Sequence, residues 1–249
     1  LTHYKNKITY LPDEKKTTVM DGHGGYMNGS RYYGEDLPIN TWYMKRFAGL
    51  SEDGLSLWYY TDKETNEEKT TTTYSTGDFY LCGDPNPDLY GGFGTSITFH
   101  GFDLSTQFSY LVGGLTYDYG YAGMMGNPTA TSVGNRWHKD VLKAWSPENP
   151  SSTIPRWYFN DLNTTGSSDR FLIDGSYLNL QNIQVGYTLP DSWTSHLKIK
   201  NLRLYFVCDN VYYWSKRKGL DPRRSISGVG TSGKIAPFRT YSGGISLQF

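Results

Sequence analysis

The residues of this chain that could do chemistry are scattered rather than gathered. His3, His23, His100, His138 and His196 fall in separate expected loops or turns, with no two at the spacing that lets imidazoles share a metal ion. Serine, histidine and aspartate occur throughout, but nothing marks a nucleophile, its base and an orienting carboxylate. Gly91-Gly92 and Gly113-Gly114 lack the lysine and the following helix of a phosphate loop and read as strand-end glycines. Asp84-Pro-Asn-Pro-Asp88 and the run from Asp161 to Asp169 offer oxygens at spacings calcium accepts. The same residue types are the standard turn formers, which favours turns. No catalytic residue, metal ligand or cofactor is assigned, and the chain reads as a non-enzyme.

Aromatic clusters are the better functional signal. Trp58-Tyr59-Tyr60, Trp145 and Trp157-Tyr158 lie deep in expected loops. An aromatic face with a polar tip suits the C–H face of a sugar, so these six are the candidate ligand-binding residues. Tyr212, Tyr213 and Trp214, at the end of an expected strand, fit a girdle at a lipid–water interface at least as well.

The elements that must position these residues are strands. In the last ten residues Tyr241, Gly243, Ile245, Leu247 and Phe249 fall on one side, and Ser242, Gly244, Ser246 and Gln248 on the other. A period of two puts alternate side chains on opposite faces of a strand. Residues 89–99, 102–112, 176–189 and 201–213 repeat the pattern, and residues 1–11 do so more weakly. His100-Gly101 forms a tight turn between the first two of these. The mid-strand charges Asp103, Arg203 and Asp209 all fall on the polar side.

Composition fits a strand-built membrane protein. The 24 Lys+Arg balance 24 Asp+Glu, leaving no basic excess for nucleic acid. Mean hydropathy is -0.58, and no run reaches the ~20 apolar residues of a spanning helix. A barrel passes this test because only alternate residues meet lipid. Aromatic residues make up 16% of the chain and glycines number 28, values that also suit a secreted carbohydrate-binding β-sandwich. Cys82 and Cys208 could join in an oxidising compartment, but a position inside a strand for one and in a loop for the other favours free thiols. The first residues, Leu1-Thr-His-Tyr4, show no signal-type segment, as in a mature protein or a fragment.

Connection lengths separate the barrel from the sandwich. Residues 12–88, 113–175 and 214–239 are long connections; 100–101 and 190–200 are short. Outer-membrane barrels have short periplasmic turns and long external loops, and this order places every long connection outside. Within them, residues 55–60 and 70–76 are expected to pair as an external hairpin around a charged tip at 61–69. Residues 132–145 are expected to form a short helix with Ser132 as N-cap. Six strands fall short of the about eight needed to close the smallest barrels. The chain is thus the C-terminal part of a larger barrel, or a complete eight-stranded one with further strands near 38–48 and 55–60.

The resemblance to a known family rests on long motifs. The run from Asp169 to Pro190 (DRFLIDGSYLNLQNIQVGYTLP), that from Asn201 to Pro222 (NLRLYFVCDNVYYWSKRKGLDP) and the closing PFRTYSGGISLQF from Pro237 resemble the C-terminal segments of SusC/RagA-type TonB-linked outer-membrane proteins. Upstream, Tyr4-Lys-Asn-Lys-Ile8, Leu37 to Tyr43, Ala48-Gly-Leu50, Gly83 to Phe93 and Gly101 to Ser105 are similar to the family in the same order, so the likeness covers essentially the whole chain. Asp209 stands where the family usually has Gln, and Arg223-Arg224 follow Asp-Pro where an acidic residue is common.

The resemblance implies an all-β antiparallel transmembrane β-barrel segment. Residues 1–249 would be the C-terminal strands of a barrel of about 22, with the plug and N-terminal domains absent. It further implies a Gram-negative outer-membrane protein in contact with lipid, active in TonB-dependent nutrient import. Its partners would be TonB, through the missing N-terminal part, and a SusD-type surface lipoprotein. Its cargo would be an oligosaccharide or a peptide, oligosaccharide first.

Overall fold

Runs of alternating β-branched and aromatic residues punctuated by Gly, Asn and Asp dictate strands, and strands dominate the computed structural model. It describes all residues except 4, 130–133, 135, 162–165, 195–197, 218, 220, 222, 224–226 and 230–236. The first eight strands are short: β1 (Thr18–Met20), β2 (His23–Asn28), β3 (Arg31–Gly34), β4 (Thr41–Lys45), β5 (Phe47–Leu50), β6 (Ser56–Thr61), β7 (Glu68–Thr71) and β8 (Phe79–Leu81). Two long strands follow, β9 (Leu89–Phe99) and β10 (Phe102–Val112), then the short β11 (Leu115–Tyr117) and β12 (Leu172–Asp174). The chain closes with β13 (Tyr177–Thr188), β14 (Asn201–Ser215) and β15 (Thr240–Gln248).

The five long strands form one antiparallel sheet in the order β15-β14-β13-β10-β9, a meander without crossover. Between β9 and β10 the chain reverses in two residues. His100 and Gly101 both have positive φ (48° and 83°), the primed turn that matches strand twist. Both short connections leave one end of the sheet, and all long ones leave the other.

Register sorts the side chains as the alternation predicts. Phe99, Phe102, Tyr187, Leu204 and Ile245 lie in one row across the sheet; Ile97, Leu104, Val185, Phe206 and Gly243 lie in the next but one. The row between them is polar or small: Thr98, Asp103, Gly186, Tyr205 and Gly244. Among the described residues no second sheet covers the apolar face. Phe102 is 57% exposed, Ile245 65% and Leu247 49%. A sandwich buries such a face, so that alternative is set aside.

Residues 1–11 do not form the expected strand. Thr2 pairs with Tyr90 on the edge of β9, donating at 2.7 Å and accepting at 3.0 Å. The segment then leaves the edge, because Asn6 bonds Asn86 and Ile8 exchanges hydrogen bonds with Asp36 and Leu37.

The long connections fold together into a lobe. β1-β2-β3-β4-β8 form one sheet, β5-β6-β7 a second, and β11-β12 a third. The expected hairpin is present as β6 with β7, Trp58 opposite Thr71 and Thr61 opposite Glu68; residues 74–76 turn as a 3-10 helix instead of extending the strand. The lobe core is Trp42, Met44, Tyr117, Met125 and Phe171, with Cys82, Leu115 and Val141 packed against it. Within the expected helix at 132–145 the described residues form a 3-10 turn, Lys139–Lys143, whose cap is His138, accepting from the Asp140 amide; residues 132, 133 and 135, and with them the expected cap Ser132, lie outside the described residues. A true helix, α1 (Tyr119–Met124), sits earlier, capped by the Asp118 carboxylate accepting from Tyr121 N at 3.0 Å.

Candidate functional site

The inner face of the sheet is a ladder of polar side chains. Arg203 on β14 donates Nε to Asp103 Oδ1 at 2.9 Å and Nη2 to Oδ2 at 2.5 Å, reaching β10 across β13. The residue bridged over is Gly186, where a Cβ would stand 2.3 Å from Asp103 Oδ1 and 2.5 Å from Arg203 Nη2. Further along, Asn182 Nδ2 donates to Asp209 Oδ1 at 2.7 Å. The three strand charges expected on the polar face therefore lie there, each with a partner.

Nearer the lobe, the β14–β15 connection is tied to this wall. Arg223 donates Nε and Nη2 to the two oxygens of Asp221, both at 2.8 Å, and Nη1 to Asn179 Oδ1 at 2.7 Å, while its guanidinium lies 4.6 Å from the centre of the Tyr213 ring. Asp221 holds the Arg223 guanidinium above its usual pKa. The same connection reaches the lobe: Arg217 pairs with Asp118, Arg31 donates to the Ser227 carbonyl, and Tyr117 N donates to Gly228 O at 2.8 Å. Inside the lobe, burial lowers Arg31 and Arg170 to about 10, raises the Asp169 carboxyl and pushes the Cys82 thiol to about 11. Both cysteines are free.

Between wall and lobe opens a cleft of about 710 Å³. Tyr90, Ser109 and Tyr177 line it from the strands, Pro85 and Pro87 from the lobe, and Arg223 from the β14–β15 connection. The sequence reading missed it, because its tyrosines belong to strands and only register brings them together.

The aromatic candidates take different places. Trp58 is 1% exposed and packs edge-on against Phe47 and Tyr74, filling the lobe interior. Tyr59, on the opposite side of β6, lies under the Arg46 guanidinium, and Tyr60 pairs with Lys69. Trp145 packs on Gly54, where a Cβ would meet its ring at 2.3 Å. Trp157 contacts Trp137 edge-on and donates Nε1 to Gly126 O at 3.0 Å. Tyr158 is 65% exposed. Of the strand-end cluster, Tyr212 and Trp214 stand on the apolar face in edge contact at 4.8 Å, as a girdle requires, while Tyr213 faces inward under Arg223. Asp84 accepts from the Asn86 amide at 2.9 Å, which makes the candidate calcium loop an Asx turn.

A meander with a lipid-type face, a polar inner face and one-sided long loops defines the wall of an outer-membrane barrel. No family model matches the chain. Among curated proteins it is 28% identical to TonB-dependent receptor P3 of Formosa agariphila, over 98% of this chain and 26% of that one. It is 27% identical to TonB-dependent receptor SusC of Bacteroides thetaiotaomicron, over 71% of this chain and 17% of that one. Among solved structures it resembles a chain of the RagAB peptide transporter, with TM-score 0.74 and 25% identity over 90% of this chain and 24% of that one. The chain spans about a quarter of the first curated relatives' length. Over that quarter the chain matches the SusC/RagA-type TonB-dependent receptors, a family of outer-membrane receptors and transporters rather than enzymes.

Proposed function

We propose that the intact parent imports nutrients across the outer membrane, oligosaccharides in first place, together with a SusD-type surface lipoprotein. The chain supplies C-terminal strands of the barrel wall, the lumen polarity carried by Asp103, Arg203 and Asp209, and the external lobe. TonB acts through the part of the parent that these residues do not include. Tyr59, Tyr60 and Tyr158 present rings to cargo or lid, with Trp58, Trp145 and Trp157 supporting them from within the lobe. The observation that carries the reading is the uncovered apolar face, with Phe102, Ile245 and Leu247 about half or more exposed. That face needs lipid, and the polar face behind it needs water.

Fractionation of cells expressing the full-length parent tests this. The protein should stay with the outer membrane through a carbonate wash and migrate faster unheated than boiled. Release by carbonate would defeat the reading. Peptide cargo is the second reading, supported by the likeness to a chain of the RagAB peptide transporter; uptake of labelled oligosaccharide against labelled peptide separates the two.

A further inference from the structure

We propose that the cleft between wall and lobe is a seat for an uncharged sugar ring; this rests on the importer reading and gives it a specific site. Tyr90 on β9 and Tyr177 on β13 both pair with Leu111 of β10, so they rise on one face with a single strand between them. Two inter-strand spacings put their backbones about 10 Å apart. That gap admits one ring lying over Leu111 between two aromatic side chains, an arrangement that suits the C–H faces of a pyranose.

Charge decides which sugar. Arg223 is the one cationic or anionic side chain among the described residues lining the cleft. Its guanidinium is committed: two nitrogens hold Asp221, the third holds Asn179, and Tyr213 covers a face. A sulfate or carboxylate on the ligand meets no open fork there and would have to displace a buried aspartate. Ser109 and Gln181 instead offer a neutral hydroxyl and amide, able both to donate to and accept from sugar hydroxyls. A peptide adding as a strand over Leu111 finds no edge on β10, which is already paired on both sides, and at Tyr90 the edge of β9 is taken by Thr2.

The test uses the full-length parent, purified in detergent with its lipoprotein, on an array of neutral oligosaccharides, sulfated and uronate oligosaccharides, and peptides. Tyr177→Ala, Tyr177→Phe and Gln181→Ala variants are taken forward on the best binder, each first checked for heat-modifiable migration. The proposal expects an uncharged saccharide as best binder. It expects about tenfold weaker binding for Tyr177→Ala and near-parental binding for Tyr177→Phe, since the ring supplies the contact. If Tyr177→Ala fails to fold, a loss of binding in folded Gln181→Ala carries the test. An array with no uncharged hit, or folded variants that bind like the parent, overturns the proposal. Failure of the importer reading itself would appear separately, as release from the membrane fraction.

Discussion

Arg203 and Asp103 form a bidentate pair across an intervening strand, Nε to Oδ1 at 2.9 Å and Nη2 to Oδ2 at 2.5 Å, and Gly186 lies beneath it. The glycine is thus a requirement of two side chains on neighbouring strands. Gly186→Ala should force the pair apart and cost about 1–2 kcal/mol, the scale of a partly shielded, well-aligned ion pair. Urea unfolding of the parent in vesicles measures it. In an Arg203→Met background the added cost of Gly186→Ala should largely vanish; an undiminished cost there would mean that the pair is not what excludes the methyl group.

The two faces predict opposite tolerance for charge. Phe206→Arg puts a guanidinium toward acyl chains and should cost about 2–4 kcal/mol, whereas Gln184→Arg on the inner face should cost about 1 or less. Equal costs in vesicle folding assays would contradict the assignment of the faces.

Arg223 should anchor the β14–β15 connection. Arg223→Ala strips the buried Asp221 of its bidentate partner and should destabilise that connection by about 3 kcal/mol. Arg223→Lys should recover little, because an ammonium cannot span Asp221 and Asn179 in one plane. Hydrogen exchange across residues 210–223 is the readout, with increased exchange expected in both variants.

Much of the wall was legible in the sequence, and the reason is physical. Strands with different solvents on their two faces must alternate, so β9 and β10 fall at 89–99 and 102–112 as the pattern places them. In the lobe the pattern marked only the β6–β7 hairpin and, as an alternative, a strand near 38–48; β1–β3, β8, β11 and β12 left no signal because short covered strands do not face two solvents. All five residues of β4 are buried, which erases the period of two. Helix α1 was concealed by its two glycines, poor helix formers that Asp118 capping and packing override. Residue type marked Trp58 for ligand contact, but type does not distinguish a ring that stacks on cargo from one that fills a core. The tyrosine pair of the cleft needed register, which β9 and β13 reveal only once both are paired to β10.

Asp169 gives a pH signature. Burial raises its carboxyl above the ordinary range, opposed by the Phe47 amide that donates to it at 2.8 Å. A raised carboxyl contributes stability below its unfolded value of 3.8 that is lost as pH climbs through the folded value. Asp169→Asn keeps an acceptor for Phe47 without the buried charge. It should therefore match the parent at acid pH and exceed it near neutrality by a few degrees, roughly, in unfolding midpoint. A variant less stable than the parent at pH 7 would show that the ionised carboxylate is a net asset.

Paired nitroxide labels on neighbouring residues test the central claim most directly. Val185→Cys and Gln184→Cys are made in the full-length parent with Cys82 and Cys208 replaced by serine, labelled, and reconstituted in vesicles. The label at 185 should collide with oxygen, which concentrates in the bilayer, and the label at 184 with a water-soluble nickel chelate. Equal exposure of both labels to the chelate, or the reverse order, would contradict a wall with lipid on one side and water on the other.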